Sequence, residues 1–223
     1  SLGKDSFSSL EKQVFNPYHW LLQYPAKLRV SRILSVARDF LLFGNLAHDL
    51  IEDFFLRADA LAIDGVVFEQ WFEATFARLV VEEGAVLLIP GRRSDLEGFR
   101  IKLKRAIGEL RQHLASAKVI RVTPEMPLEG VYAGGNLTGF ADLVLEKGDG
   151  SRAVIDMKWS GAKKYPSKLG DNRHLQLAIY AEMLRQKFTT WPVVGYFILD
   201  QGRLFTTDPS WFPSAEVVRN RTD

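Results

Sequence analysis

Gly139-Phe140-Ala141-Asp142, followed after a turn by Val154-Ile155-Asp156-Met157-Lys158, governs how this chain is read. Both segments are apolar runs interrupted by single charges. Gly148-Asp149-Gly150 between them is a turn signal, so Leu137–Leu145 and Arg152–Lys158 are expected to pair as antiparallel strands. Alternate residues of a strand share a face, which puts Asp156 and Lys158 on the same side. Pairing about Asp149 makes opposed residue numbers sum to 298, and Asp142 then stands across from Asp156. Carboxylates opposed in this way sit roughly 5 Å apart. They repel, and a cation between them removes the penalty. Hard carboxylate oxygens suit Mg²⁺ or Mn²⁺, and a neighbouring ammonium group can hold a phosphate oxygen or an attacking water. The plain alternative is a cross-strand ion pair, since a D-x-K triplet arises easily by chance.

Three other elements add to this pair. Gly44-Asn45-Leu46-Ala47-His48-Asp49-Leu50-Ile51-Glu52 has helical periodicity, and His48 and Glu52, four residues apart, share one face. An apolar helix keeps His48 partly covered and available as a neutral imidazole ligand. Gln176 and Tyr180 share a face of the helix expected over Leu175–Arg185. Between strand and helix lies a basic loop in which Lys163, Lys164, Lys168 and Arg173 are candidate phosphate contacts. Glu125, 17 residues before Asp142, is a weaker addition.

The rest of the chain supplies the frame. Ser8-Ser9-Leu10-Glu11 resembles a capped helix start, and Pro17 and the cluster Tyr18-His19-Trp20 follow it. Val30–Leu56, Phe68–Val81 and Leu96–Leu114 have the helical period. Pro124 and Pro127 are expected to break the pattern before the strands begin. Val193–Leu199 reads as a buried strand, with Leu204–Thr207 after the Gln201-Gly202 turn. The expected fold class is α/β in a single domain over 1–223. Its first part, 1–120, is mainly helical, and 121–223 contains the sheet.

Composition narrows the function classes. The 223 residues include no cysteine, which excludes a disulfide scaffold, a thiolate metal site and a cysteine nucleophile. No apolar run approaches the roughly 20 residues that span a bilayer. Ser1–Ser9 shows no secretory pattern, so a cytoplasmic setting without membrane contact is expected. The net charge of +2 names no partner, yet it hides two windows. Arg92–Arg111 holds seven basic and three acidic residues, and Lys158–Arg173 five and one. Both windows are candidate phosphate-binding surfaces, and a solvated face is the ordinary alternative.

The combined order, G-x₃-H-x₃-E, then E, G-x-x-D, D-x-K and Q-x₃-Y, resembles the RecB-family branch of the PD-(D/E)XK nucleases. That branch includes the nuclease domains of the RecBCD and AddAB helicase–nucleases and the CRISPR-associated exonucleases. The resemblance runs from about Ser8 to about Leu199. It implies a restriction-endonuclease-like core, a central mixed β-sheet flanked by helices. It further implies that His48, Asp142, Asp156 and the Met157 carbonyl bind Mg²⁺ or Mn²⁺. Lys158 is then the catalytic lysine, with Asp142, Asp156 and Glu125 beside it. Gln176 and Tyr180 support the site and contact the strand. Ser8-Ser9-Leu10 and Phe15-Asn16-Pro17-Tyr18 resemble the family's N-terminal S-x-L and C-P-x pattern, with Asn16 where many relatives have a cysteine. An iron–sulfur cluster is therefore excluded. The implied function is a metal-dependent DNA exonuclease of repair or recombination, acting on single strands or duplex ends. Such a module often belongs to a helicase or a larger parent chain, and an excised domain would start as abruptly as Ser1 does. The competing expectation is an inactive nuclease fold kept as a DNA- or partner-binding scaffold.

Overall fold

Phe99, Leu103, Ala106, Ile107, Leu110 and Leu114 recur at helical spacing and form the buried side of one long helix. The computed structural model describes residues 5–6, 39–132, 135–219 and 221. Within them three helices come before the main strands: α1 (Asp39–Phe55), α2 (Gly65–Glu82) and α3 (Arg93–Ser116). α2 begins where the Asp64 side chain accepts the Val66 N–H at 2.8 Å, satisfying a donor that the first turn leaves open. Phenylalanines join the three helices, with Phe54 and Phe72 fully buried and Phe43 stacked on Phe99 at 4.6 Å between centroids. The expected motifs over Ser8–Glu11 and Phe15–Trp20, and the first part of the Val30–Leu56 helix, lie outside the described residues.

One mixed sheet of seven strands follows: β1 (Asp5–Ser6), β2 (Val119–Tyr132), β3 (Gly135–Lys147), β4 (Arg152–Lys158), β5 (Val193–Ile198), β6 (Arg203–Thr206) and β7 (Glu216–Val217). β3 is its organising strand. It pairs antiparallel with β2 along one edge, while the other edge takes β4 antiparallel and β1 parallel, so Thr138 faces both Glu129 and Ser6. β4 and β5 are parallel, which demands a crossover. The crossover is made by α4 (Lys164–Gly170) and α5 (Leu175–Phe188). α1 to α3 cover one sheet face around Leu145, Ile155, Met157 and Phe197, and α5 covers the other around Leu128, Val154 and Ile198. The α/β class, the central mixed sheet and the helices ahead of it agree with the sequence reading. Among the described residues no helix is long and apolar enough to cross a membrane.

Two expectations are corrected. The helical pattern does end before Pro124 and Pro127, but both lie in a strand that the sequence reading did not assign, since β2 runs straight through them, opposite Leu143 and Phe140. β2 pairs with β3 alone among the described strands, and an edge strand tolerates a missing N–H. The segment 163–173 is not only a loop, since it contains the short helix α4.

β2 and β3 also change faces together. Leu143 belongs to the core under α1–α3, whereas Ala141, two residues earlier, belongs to the core under α5. Across the ladder, Val122 packs on the first core and Met126 and Leu128 on the second. The reversal falls at Asp142 on β3 and at Glu125 on β2, where the backbone takes a left-handed φ of 42°.

Candidate metal and nucleic-acid site

The ladder between β3 and β4 follows the 298 register over its four pairs and stops at Leu143↔Ile155. The next step would carry Asp142 and Asp156. There the strands part, and the Asp142 carboxylate takes the place of a ladder acceptor: its Oδ2 receives the Met157 N–H at 2.6 Å. On the far side of β3, Pro124 and Met126 face Leu143 and Ala141, so Glu125 lies opposite Asp142. Helix α1 closes the fork from above. His48 Nε2 is 3.1 Å from the Met157 carbonyl oxygen and 3.9 Å from Asp142 Oδ2. Its Nδ1 is 3.9 Å from Glu125 Oε1. His48, Glu125 and Asp142 each present a ligand atom, all within 4.8 Å of one another. Asp156 is wholly buried, with Oδ2 2.7 Å from Lys158 Nζ. Its Oδ1 has no hydrogen-bond partner among the described residues.

This donor set suits a hard divalent cation. Carboxylate and carbonyl oxygens are hard ligands and the imidazole a borderline one, a mixture that a divalent cation accepts. A buried carboxylate oxygen without a partner is the kind of deficit that a cation corrects. A model of the PD-(D/E)XK nuclease superfamily matches residues 5–219. The chain belongs to the PD-(D/E)XK nuclease superfamily. No curated protein matches it. Membership implies nuclease activity, DNA as the bound polymer and use of a divalent metal.

The electrostatics of this superfamily member match that assignment. Burial, and then the charge of Asp142, push the Asp156 carboxyl up to about 7. Burial likewise raises Asp142, against the pull of His48 and Lys158. For His48 burial acts downward, but the Glu125 carboxylate 3.9 Å away, the Asp142 charge and the Met157 carbonyl outweigh it and the imidazole is raised. Lys158 follows the same logic: burial lowers it, and Asp156 with Asp142 more than restore it. Without a cation the two aspartates hold too much negative charge in too little solvent.

Around the fork is a cleft of about 810 Å³ whose lining includes Gly44, Asn45, His48, Lys158, Trp159 and Tyr165. Asp49 and Glu83 also border it, and burial with the neighbouring Glu83 raises Asp49 to about 6. Gln176 Nε2 donates to the Tyr180 hydroxyl at 3.3 Å. The Tyr180 ring lies against Gly139, where an added Cβ would meet Cε1 at 3.0 Å, so the glycine is required by close approach. Lys164 and Lys168 line a second, smaller pocket beside Lys158, but Lys163 and Arg173 line neither cavity.

The basic window Arg92–Arg111 is not part of this site. Arg92 pairs with Asp95, Arg100 with Glu97 and Glu73, and Lys104 with Glu69 and Glu73. Arg105 and Arg111 donate to backbone carbonyls of Asp200 and Ile63. Glu69 and Glu73 of the helix beside it thus match part of the positive charge of α3, and the window lines neither cavity. Sequence reasoning missed Trp159, Tyr165 and Asp49 as cleft residues. Trp159 and Tyr165 flank the D-x-K strand's exit, and Asp49 adjoins His48, so adjacency in sequence was a signal that could have found them.

Proposed function

We propose that this chain is a Mg²⁺- or Mn²⁺-dependent deoxyribonuclease of the RecB-like type, acting on DNA ends as an exonuclease. The observation that supports it most is the meeting of His48, Glu125 and Asp142 at the fork where Lys158 faces Asp156. His48, Asp142, Asp156 and the Met157 carbonyl are the residues to hold the cation, with Glu125 beside them. When bound, the cation supplies a water of lowered pKa and offsets charge on the leaving oxygen. Lys158 holds an ammonium proton donor at the edge of the cleft, where it can orient a phosphate oxygen or the attacking water. Gln176 and Tyr180 position the strand on the α5 side, and Lys163, Lys164, Lys168 and Arg173 offer phosphate contacts. The setting we infer is cytoplasmic DNA repair or recombination, with a helicase or a larger parent chain as partner. Purified protein with Mn²⁺ and end-labelled single-stranded DNA should release nucleotides, and Asp156→Ala and Lys158→Ala should not. Equal cleavage by all three proteins would overturn the assignment.

A further inference from the structure

One wall of the cleft is a single face of α1. Phe40, Gly44 and His48 follow one another at four-residue spacing, and all three line the cavity. Each step covers about 6 Å along the helix axis. His48 closes the fork, so Gly44 and then Phe40 lead away from it. Phe40 is 71% exposed, and Leu41 beside it is 62% exposed and borders the same cavity. Apolar surface of this kind, set in the wall of a cleft, is a place for a ligand.

Gly44 has no packing reason to be a glycine. It lies in the interior of α1, where glycine costs helix stability relative to alanine. Among the described residues an added Cβ would meet only the Trp159 Cβ, at 4.0 Å, so alanine would fit without moving a neighbour. The missing side chain leaves a notch between Phe40 and His48, and a glycine at such a place lets a ligand come close to the backbone.

Charge identifies what the wall receives. Among the described residues Lys158 is the one lysine or arginine that lines this cleft, whereas Asp49 and Glu83 border it with carboxylates. Phosphates are therefore drawn to the fork and Lys158, and not along α1. The base is the part of a nucleotide that is uncharged and flat, and any base can stack on an aromatic ring. Inside a duplex both faces of a base are covered by its neighbours, so only an unpaired base can use Phe40.

We propose that Phe40 and Gly44 form a subsite for an unpaired base, which stacks on the Phe40 ring while its sugar passes at Gly44, so that the substrate is single-stranded DNA. The inference rests on the nuclease reading above and adds the class of DNA. The test offers one labelled oligonucleotide as a single strand and as a blunt duplex, each with Mn²⁺. Wild type should show a kcat/KM at least about tenfold higher on the single strand, the order of one base–aromatic stack. Phe40→Leu, which keeps apolar bulk and loses the ring, should raise KM for the strand about tenfold with a smaller change in kcat, and Phe40→Trp should stay close to wild type. Gly44→Ala should raise that KM several-fold although its Tm in EDTA is about 1–4 °C higher than that of wild type. Gly108→Ala, which lines neither cavity, should share the gain in Tm and leave KM unchanged. An unchanged KM in Phe40→Leu overturns the subsite and leaves the nuclease reading standing. So do equal rates of wild type on strand and duplex, and so does a Gly44→Ala protein that cleaves like wild type or is less stable than it. If wild type cleaves neither substrate, the nuclease reading fails instead. The subsite is then read by fluorescence anisotropy in EDTA, where wild type should bind the strand several-fold more tightly than it binds the duplex and than Phe40→Leu binds the strand. Equal affinities there sink the subsite as well.

Discussion

Replacing Asp156 with Asn should stabilise the metal-free protein while abolishing metal-dependent cleavage. The carboxyl is fully buried and pushed from 3.8 up to about 7, by burial first and by Asp142 second. A difference of about three pH units corresponds to roughly 4 kcal/mol. The folded value lies above the unfolded one, so the penalty is absent below pH 3.8, grows as pH rises and is complete above about 7. The attraction of Lys158 Nζ, 2.7 Å from Oδ2, is already contained in the folded value, because it lowers the carboxyl against burial and Asp142. The expectation at pH 8 is therefore about 4 kcal/mol, or roughly 8–16 °C in Tm for a chain of this size. Thermal unfolding in EDTA at pH 8 and pH 5 checks it: the advantage of Asp156→Asn should shrink by more than half at the lower pH. With Mn²⁺ the order should reverse, because wild type gains from ligation and the variant does not. A lower Tm for Asp156→Asn than for wild type at pH 8 in EDTA would refute the reasoning.

Further outcomes follow from the structure. His48→Ala should weaken Mn²⁺ binding by at least tenfold with little change in Tm in EDTA, measured by calorimetric titration. Gly139→Ala should cost about 1–2 kcal/mol and reduce kcat by displacing Tyr180. Gly108→Ala in α3, where a Cβ meets nothing within 4 Å, should instead stabilise by roughly 0.5–1 kcal/mol. The salt dependence of single-strand binding should flatten by roughly 1.4 in slope for Lys164→Gln/Lys168→Gln, at about 0.7 for each phosphate left without its lysine. Arg100→Gln should leave that slope unchanged, because its guanidinium is already paired with Glu97 and Glu73.

Much of the sheet was legible because its signals are local. Gly148-Asp149-Gly150 set the hairpin, and the hairpin set the register that runs Val144 against Val154. The helices α2, α3 and α5 were visible because their apolar spacing is unbroken. β2 was not, since Pro124 and Pro127 argue against a strand unless its edge position is known, and that depends on long-range pairing. Glu125 could be named but not placed: only the ladder between β2 and β3 shows that it faces Asp142. The α3 window could not be weighed from sequence for a related reason. A count of charges along the sequence does not include Glu69 and Glu73, which stand on another helix. Lys164 and Lys168 differ from Lys163 and Arg173 only through α4, a short helix around a proline that periodicity cannot reveal.

The simultaneous change of face at Glu125 and Asp142 constrains how the gene can vary. A one-residue insertion or deletion in β2 alone would leave β3 turning over where its neighbour does not, exposing one set of apolar side chains and burying the other's polar ones. Compensating changes in both strands would keep the turnover in step. Length variation among descendants of this sequence should therefore appear in pairs between 119 and 147, or be confined to the connection between the two strands.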